Sequence, residues 1–217
     1  SEGGLVAPIA ATTSPDVAFI VLMAGTGLPG DQIVQLQSRL IETAQGVAEE
    51  GLEESLKLHD ELVEIAKTEA DPEVAKTRMK EALDAAKEKM TPEQREALES
   101  QSGLIDARIA ALRSPWFRYF LSFDPRPTLR KVQCPVLAIV GEKDLQVPPK
   151  ENLSAIKEAL EAGGNTAFTV KELPGLNHLF QTAKTGSTAE YATIEETISP
   201  DALQVIGDWV VEQGMKE

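Results

Sequence analysis

Residues 135–144 read Pro135-Val136-Leu137-Ala138-Ile139-Val140-Gly141-Glu142-Lys143-Asp144. Five apolar residues in a row follow a proline, and a tight polar turn closes the run. A stretch of strand length that is apolar at every position, rather than at alternate ones, suits a strand covered on both faces. That is the usual state of a central strand in a parallel sheet. The turn then places Asp144 just beyond the strand's carboxyl end.

A second run of the same texture, Val17-Ala18-Phe19-Ile20-Val21-Leu22-Met23-Ala24, precedes the loop Gly25-Thr26-Gly27-Leu28-Pro29-Gly30. A third strand is read over Thr166–Leu173 and ends at Pro174-Gly175-Leu176-Asn177-His178. Helices fill the intervals. Residues 4–13 form a helix of small residues in which Pro8 fits only near the first turn. Residues 149–162 form a crossover helix closed by Gly163-Gly164, and a last helix spans about 200–213 with Val205, Ile206, Trp209 and Val210 inward. Strand, helix, strand, helix implies right-handed crossovers in a parallel sheet.

Between Asp31 and about Arg113 the texture changes to Glu, Lys, Ala and Leu, all strong helix formers. Four helices are expected, at about 31–47, 52–68, 73–89 and 92–112. Asp71-Pro72 and Thr91-Pro92 mark two starts, and Thr91 with Gln94 fits a capping box. Leu52, Leu56, Leu58, Leu62, Ile65 and Ala66 give one helix an apolar stripe. The fold class is therefore α/β: three parallel strands with flanking helices plus an inserted helical cap. The boundaries fall at 1–30 (core), 31–123 (cap) and 124–217 (core).

Bulk numbers narrow the function. The 217 residues are 42% hydrophobic with a net charge of −14, which opposes a nucleic-acid surface. No apolar run approaches the length of a bilayer span. The first basic residue is Arg39, so no charged leader region opens the sequence. Ser1-Glu2-Gly3-Gly4 reads as a cut inside a longer protein, with any targeting signal upstream. The one cysteine, Cys134, precedes a proline and reads as a buried, inert thiol. His59 reads as part of a solvated helix face, because no second histidine or cysteine lies near it at ligand spacing. No metal or organic cofactor is called for.

Asp144 and His178 each sit just past a strand, where parallel sheets bind ligands. An acid and a histidine so placed fit a pair in which the acid orients the imidazole. Glu142 competes for the acid role, and a loop histidine with a backbone partner is the plain reading of His178. Ser1 precedes both, and it is also simply the first residue.

Four stretches, Ser1-Glu2-Gly3-Gly4-Leu5, Val21-Leu22-Met23-Ala24-Gly25, Val140-Gly141-Glu142-Lys143-Asp144 and Gly175-Leu176-Asn177-His178, give nearly the whole chain a resemblance. It resembles the C-terminal half of bacterial α/β-hydrolase serine esterases with a helical cap. The resemblance implies an eight-stranded sheet in which the three strands here are the sixth, seventh and eighth. It implies a triad of Ser1, Asp144 and His178, and Ser1-Glu2-Gly3 as the second half of a Gly-x-Ser-x-Gly elbow. Gly3 would then allow close helix–strand approach, and the Glu2 backbone N–H would serve one half of an oxyanion hole. The other donor would lie upstream. Gly25, Trp116, Phe117 and Phe120 are candidate pocket residues, the aromatics being explained as well by plain packing.

The implied activity is hydrolysis of a small-molecule carboxylic ester through an acyl-enzyme. Thioesterase, acyltransferase or peptidase chemistry would use the same triad. A helical interaction scaffold on an inactive hydrolase core is the non-enzymatic alternative. An N-terminal-nucleophile hydrolase, with the Ser1 amine as base, would need antiparallel sheets. Without the first five strands the sheet has an exposed apolar edge, so this piece alone is expected to be poorly stable and inactive.

Overall fold

The computed structural model describes residues 1–100 and 102–215. In chain order the elements are α1 (Gly3–Thr13), β1 (Ile20–Met23), α2 (Gly30–Ala44), α3 (Glu49–Thr68), α4 (Pro72–Glu88), α5 (Pro92–Ser100), α6 (Ser102–Leu112), α7 (Pro115–Ser122), α8 (Arg126–Leu129), β2 (Val136–Gly141), α9 (Pro149–Ala162), β3 (Phe168–Leu173), a 3-10 turn (Thr188–Thr193) and α10 (Pro200–Gly214). Their contacts divide the chain into two units, Ser1–Gly46 with Asp124–Glu217, and Val47–Phe123.

In the first unit the three strands lie in the order β1-β2-β3, every pair parallel. The antiparallel layers of an N-terminal-nucleophile fold are not found among the described residues. Ile20 pairs with Val136, and Val136 with Phe168. β2 is buried at all six positions, as its unbroken apolar run requires. Its side chains alternate between two cores. Val136 and Ala138 pack with Ile20, Leu22, Ile156 and Leu160. Leu137 and Ile139 pack with Leu173, Phe180 and Trp209. β3 is an edge strand and carries Lys171 and Glu172, charges that discourage further pairing. β1 is shorter than the run 17–24, because only Ile20–Met23 find ladder partners on β2.

Pro8 lies inside α1, past its first turn. It supplies no N–H to the Gly4 carbonyl one turn back. α9 keeps the expected bounds: Pro149 is pre-set for its first turn, and the Gly163 nitrogen closes its last by bonding Ala159 O.

The second unit is all helix. Asp71 Oδ1 accepts from the nitrogens of Glu73 and Val74 at 2.8 and 3.1 Å and so caps α4. The capping box is reciprocal: Thr91 N donates to Gln94 Oε1 at 2.8 Å and Gln94 N to Thr91 Oγ1 at 3.3 Å. Leu52, Leu56, Val63, Ala66, Met79 and Ile109 are among its buried residues. The unit runs from Val47 to Phe123, so residues 31–46 group with the sheet. The aromatic return forms α7, capped by Ser114 Oγ accepting from Phe117 N at 3.2 Å. Asp124-Pro125-Arg126-Pro127 leads into the one-turn helix α8, with Arg126 Nη2 donating to Asp124 Oδ2 at 2.7 Å.

His59 does not lie on a solvated face. It is 7% exposed, and Arg108 Nη2 donates to its Nδ1 at 3.0 Å. The spacing Leu52, Leu56, His59, Val63, Ala66 puts it on the buried stripe of α3. Cys134 is half-buried rather than buried. Desolvation raises its pKa, which keeps it a thiol.

Candidate active site

Both loops leaving β2 and β3 are held by their own backbones. Gly141 ends β2 because a Cβ there would lie 2.6 Å from Asn177 O and would also strike Leu176 O. The loop bearing His178 therefore rests on the end of β2. Asn177 is fully buried, and its Oδ1 accepts from Leu179 N at 2.9 Å and Gln181 N at 3.0 Å while its Nδ2 donates to Gln181 Oε1 at 3.0 Å. Phe180 completes the bend at φ 59, a left-handed conformation that costs a non-glycine residue about 1 kcal/mol or more.

These two loops bring Asp144 and His178 together. His178 Nδ1 lies 2.8 Å from Asp144 Oδ2, with the carboxylate side chain 0% exposed and the ring 10% exposed. The other oxygen, Oδ1, accepts from the backbone nitrogens of Gln146 and Val147, each at 2.8 Å. Three donors thus converge on this one buried carboxylate. An Nδ1–H held by the acid leaves Nε2 as the nitrogen available to a reacting group. Glu142 is occupied elsewhere, its Oε2 accepting from Gly175 N at 2.7 Å.

Ser1 lies at the carboxyl end of β1. Its nitrogen donates to Met23 O at 2.8 Å and to Ala24 O. Residue 1 as a whole is exposed, yet that nitrogen is held against the end of β1. Among the described residues no hydrogen bond joins Ser1 Oγ to His178. Glu2 stands at the N-cap of α1, where backbone N–H groups and the helix dipole favour negative charge.

Close helix approach does come from a glycine, but from Gly4 rather than Gly3. A Cβ on Gly3 would meet nothing within 4 Å, whereas one on Gly4 would run into the Gly25 backbone. Gly25 returns the contact, since its own Cβ would lie 3.2 Å from Gly4 Cα. Gly25 therefore packs against the first turn of α1. Beside it Ala24 is wholly buried at φ 47. Thr26 is 5% exposed, and its Oγ1 has no hydrogen-bond partner among the described residues. The Gly27 nitrogen donates to the buried Asn152 Oδ1 at 2.9 Å, tying this loop to α9.

The aromatic candidates belong to the second unit. Trp116 and Phe120 stack with centroids 5.6 Å apart, and Phe117 lies 5.9 Å from Phe120. These contacts are the packing of α7 on itself. Sequence reasoning missed Gln146 and Tyr191, whose side chains meet beside Asp144 with Gln146 Nε2 donating to Tyr191 Oη at 2.9 Å. Among the described residues no cluster of three metal-ligating side chains is found, and no helix is long and apolar enough to cross a membrane.

The geometry so far defines an α/β protein with an acid–histidine pair at the carboxyl ends of a parallel sheet. The chain matches no protein-family model and no curated protein.

Proposed function

We propose that the full-length protein is a serine hydrolase that cleaves carboxylic esters through Ser1, His178 and Asp144. The observation that carries this reading is the 2.8 Å contact between His178 Nδ1 and the buried Asp144 carboxylate.

In the proposed reaction His178 Nε2 takes the proton of Ser1 Oγ as that oxygen attacks the acyl carbonyl. The tetrahedral oxyanion is met by the Glu2 N–H at the head of α1, together with a donor supplied upstream. Asp144 stabilises the imidazolium, which then protonates the departing alcohol. Water, activated by the same histidine, attacks the acyl-serine and releases the acid. Every proton leaves from and returns to His178, so the cycle closes without a metal or cofactor.

Ser1→Ala and His178→Ala in the full-length protein are expected to abolish turnover of p-nitrophenyl esters. Retained turnover in either variant sinks the assignment. Acyl-CoA and peptide substrates in the same panel separate ester hydrolysis from the related acyl-transfer chemistries.

A further inference from the structure

Gln146 links Asp144 to Tyr191. Its backbone nitrogen donates to Asp144 Oδ1, while its side-chain Nε2 donates to the Tyr191 phenol oxygen at 2.9 Å. Tyr191 sits on the 3-10 turn Thr188–Thr193. The segment leading to that turn is fastened to the turn that carries Asp144. Lys143 Nζ donates to Ala183 O at 2.8 Å and Lys184 O at 3.0 Å. Gly186, at φ 82, lets the Lys143 carbonyl approach where a Cβ would stand. The Glu190 carboxylate gathers Lys184 N at 3.1 Å, Thr185 N at 2.9 Å and Thr185 Oγ1 at 2.6 Å. The phenol is therefore fixed relative to the acid.

Because the phenol oxygen accepts from Gln146, its own proton points to some other acceptor. No acceptor for it is found among the described residues. Asp144 is already taken, with His178 on Oδ2 and two backbone nitrogens on Oδ1. Tyr191 is half-buried, and desolvation pushes its pKa above the ordinary phenol value, the Gln146 bond opposing and the Asp144 charge adding to the rise. It remains a neutral donor wherever an imidazole titrates. An oriented donor without an internal acceptor, at the carboxyl end of a parallel sheet, is placed to meet a ligand oxygen.

We propose that Tyr191 is a substrate-binding residue whose phenol O–H donates to a carboxyl oxygen of the bound acyl compound, either the ester or its carboxylate product. The proposal rests on the acyl-hydrolase reading of the Asp144–His178 pair.

The test uses Tyr191→Phe in the full-length protein, with butyrate as the product stand-in and p-nitrophenyl butyrate as substrate. Butyrate affinity is followed by NMR titration. The expected result is a two- to tenfold weaker affinity for butyrate, about what one hydrogen bond supplies. KM is expected to rise in parallel at an unchanged melting temperature. In the wild-type protein, butyrate is expected to shift the ring-carbon resonance of Tyr191, a readout that needs no variant. Unchanged affinity in the variant, a silent Tyr191 resonance, or no butyrate binding by the wild type overturns the proposal. Loss of butyrate affinity in a protein without ester turnover upholds Tyr191 and removes the esterase reading. Ester turnover with unchanged KM and affinity removes Tyr191 alone.

Discussion

Asp144 divides its work between its two oxygens, one orienting His178 and the other closing its own turn. Asp144→Asn keeps an oxygen for the turn but alters the partner of Nδ1, and with it the imidazole tautomer. Ester turnover is expected to fall by about 10³- to 10⁴-fold, by analogy with the same change in other triads, while the melting temperature moves little. Turnover within tenfold of wild type would remove Asp144 from the mechanism. Thr26 gives a contrasting test, because its buried Oγ1 has no hydrogen-bond partner among the described residues. Thr26→Val replaces that hydroxyl with a methyl of like shape. Unfolding free energy is expected to stay level or rise by about 1 kcal/mol, and a fall of that size would reveal a partner for the hydroxyl. Sequence position singled out Asp144 and His178 because each follows a buried strand. It gave no hint of Gln146 and Tyr191, whose contact joins loops 45 residues apart with no local periodicity. The burial of His59 was legible in principle, since it continues the Leu52–Leu56 spacing, but polarity pointed the other way.

At the scale of elements, the site depends on how closely two loops and one helix approach the sheet. Gly141→Ala would drive a methyl into the Leu176 and Asn177 carbonyls and push the His178 loop off β2. A loss of about 1–3 kcal/mol is expected from such overpacking, together with loss of ester turnover, by denaturant unfolding and activity assay. Gly3→Ala, whose Cβ meets nothing within 4 Å, is the paired control and should leave stability within about 0.5 kcal/mol. Equal damage from both would show that the glycine contacts do not hold the loops. Element boundaries were legible where residues punctuate them chemically. Pro149 and Gly163-Gly164 bound α9, and Asp71-Pro72 and Thr91-Pro92 open α4 and α5. They were misjudged where tertiary pairing decides. β1 stops where β2 stops pairing it, and α2 joins the sheet unit although its composition matches the helices that follow.

The whole molecule carries a net charge of −14, yet several carboxylates are drawn into local bonds. Asp124 is held below the usual carboxylate range first by its hydrogen bond to Arg126, and Glu190 first by its bond to Thr185. A carboxylate depressed in the folded state binds protons more readily when unfolded. Its contribution is therefore complete above its unfolded value near pH 4 and is lost as pH falls through the lower folded value. Asp124→Asn is expected to lower stability at pH 7 by less than about 1 kcal/mol, the scale of a solvent-screened pair. The gap from wild type is expected to narrow as pH falls below the unfolded value near 4 and to close only once the folded Asp124 carboxylate is itself protonated, at a lower pH. A gap that persists in acid would assign the effect to something other than charge.

The proposed chemistry makes Ser1 a nucleophile activated by His178 and Asp144. Labelling the folded full-length protein with a fluorophosphonate, followed by peptide mass spectrometry, tests it most directly. The expected adduct lies on Ser1, disappears in Ser1→Ala and is strongly slowed in His178→Ala. A folded protein that takes no label, or takes it on another residue, would contradict the claim and leave the Asp144–His178 pair as part of a non-catalytic scaffold.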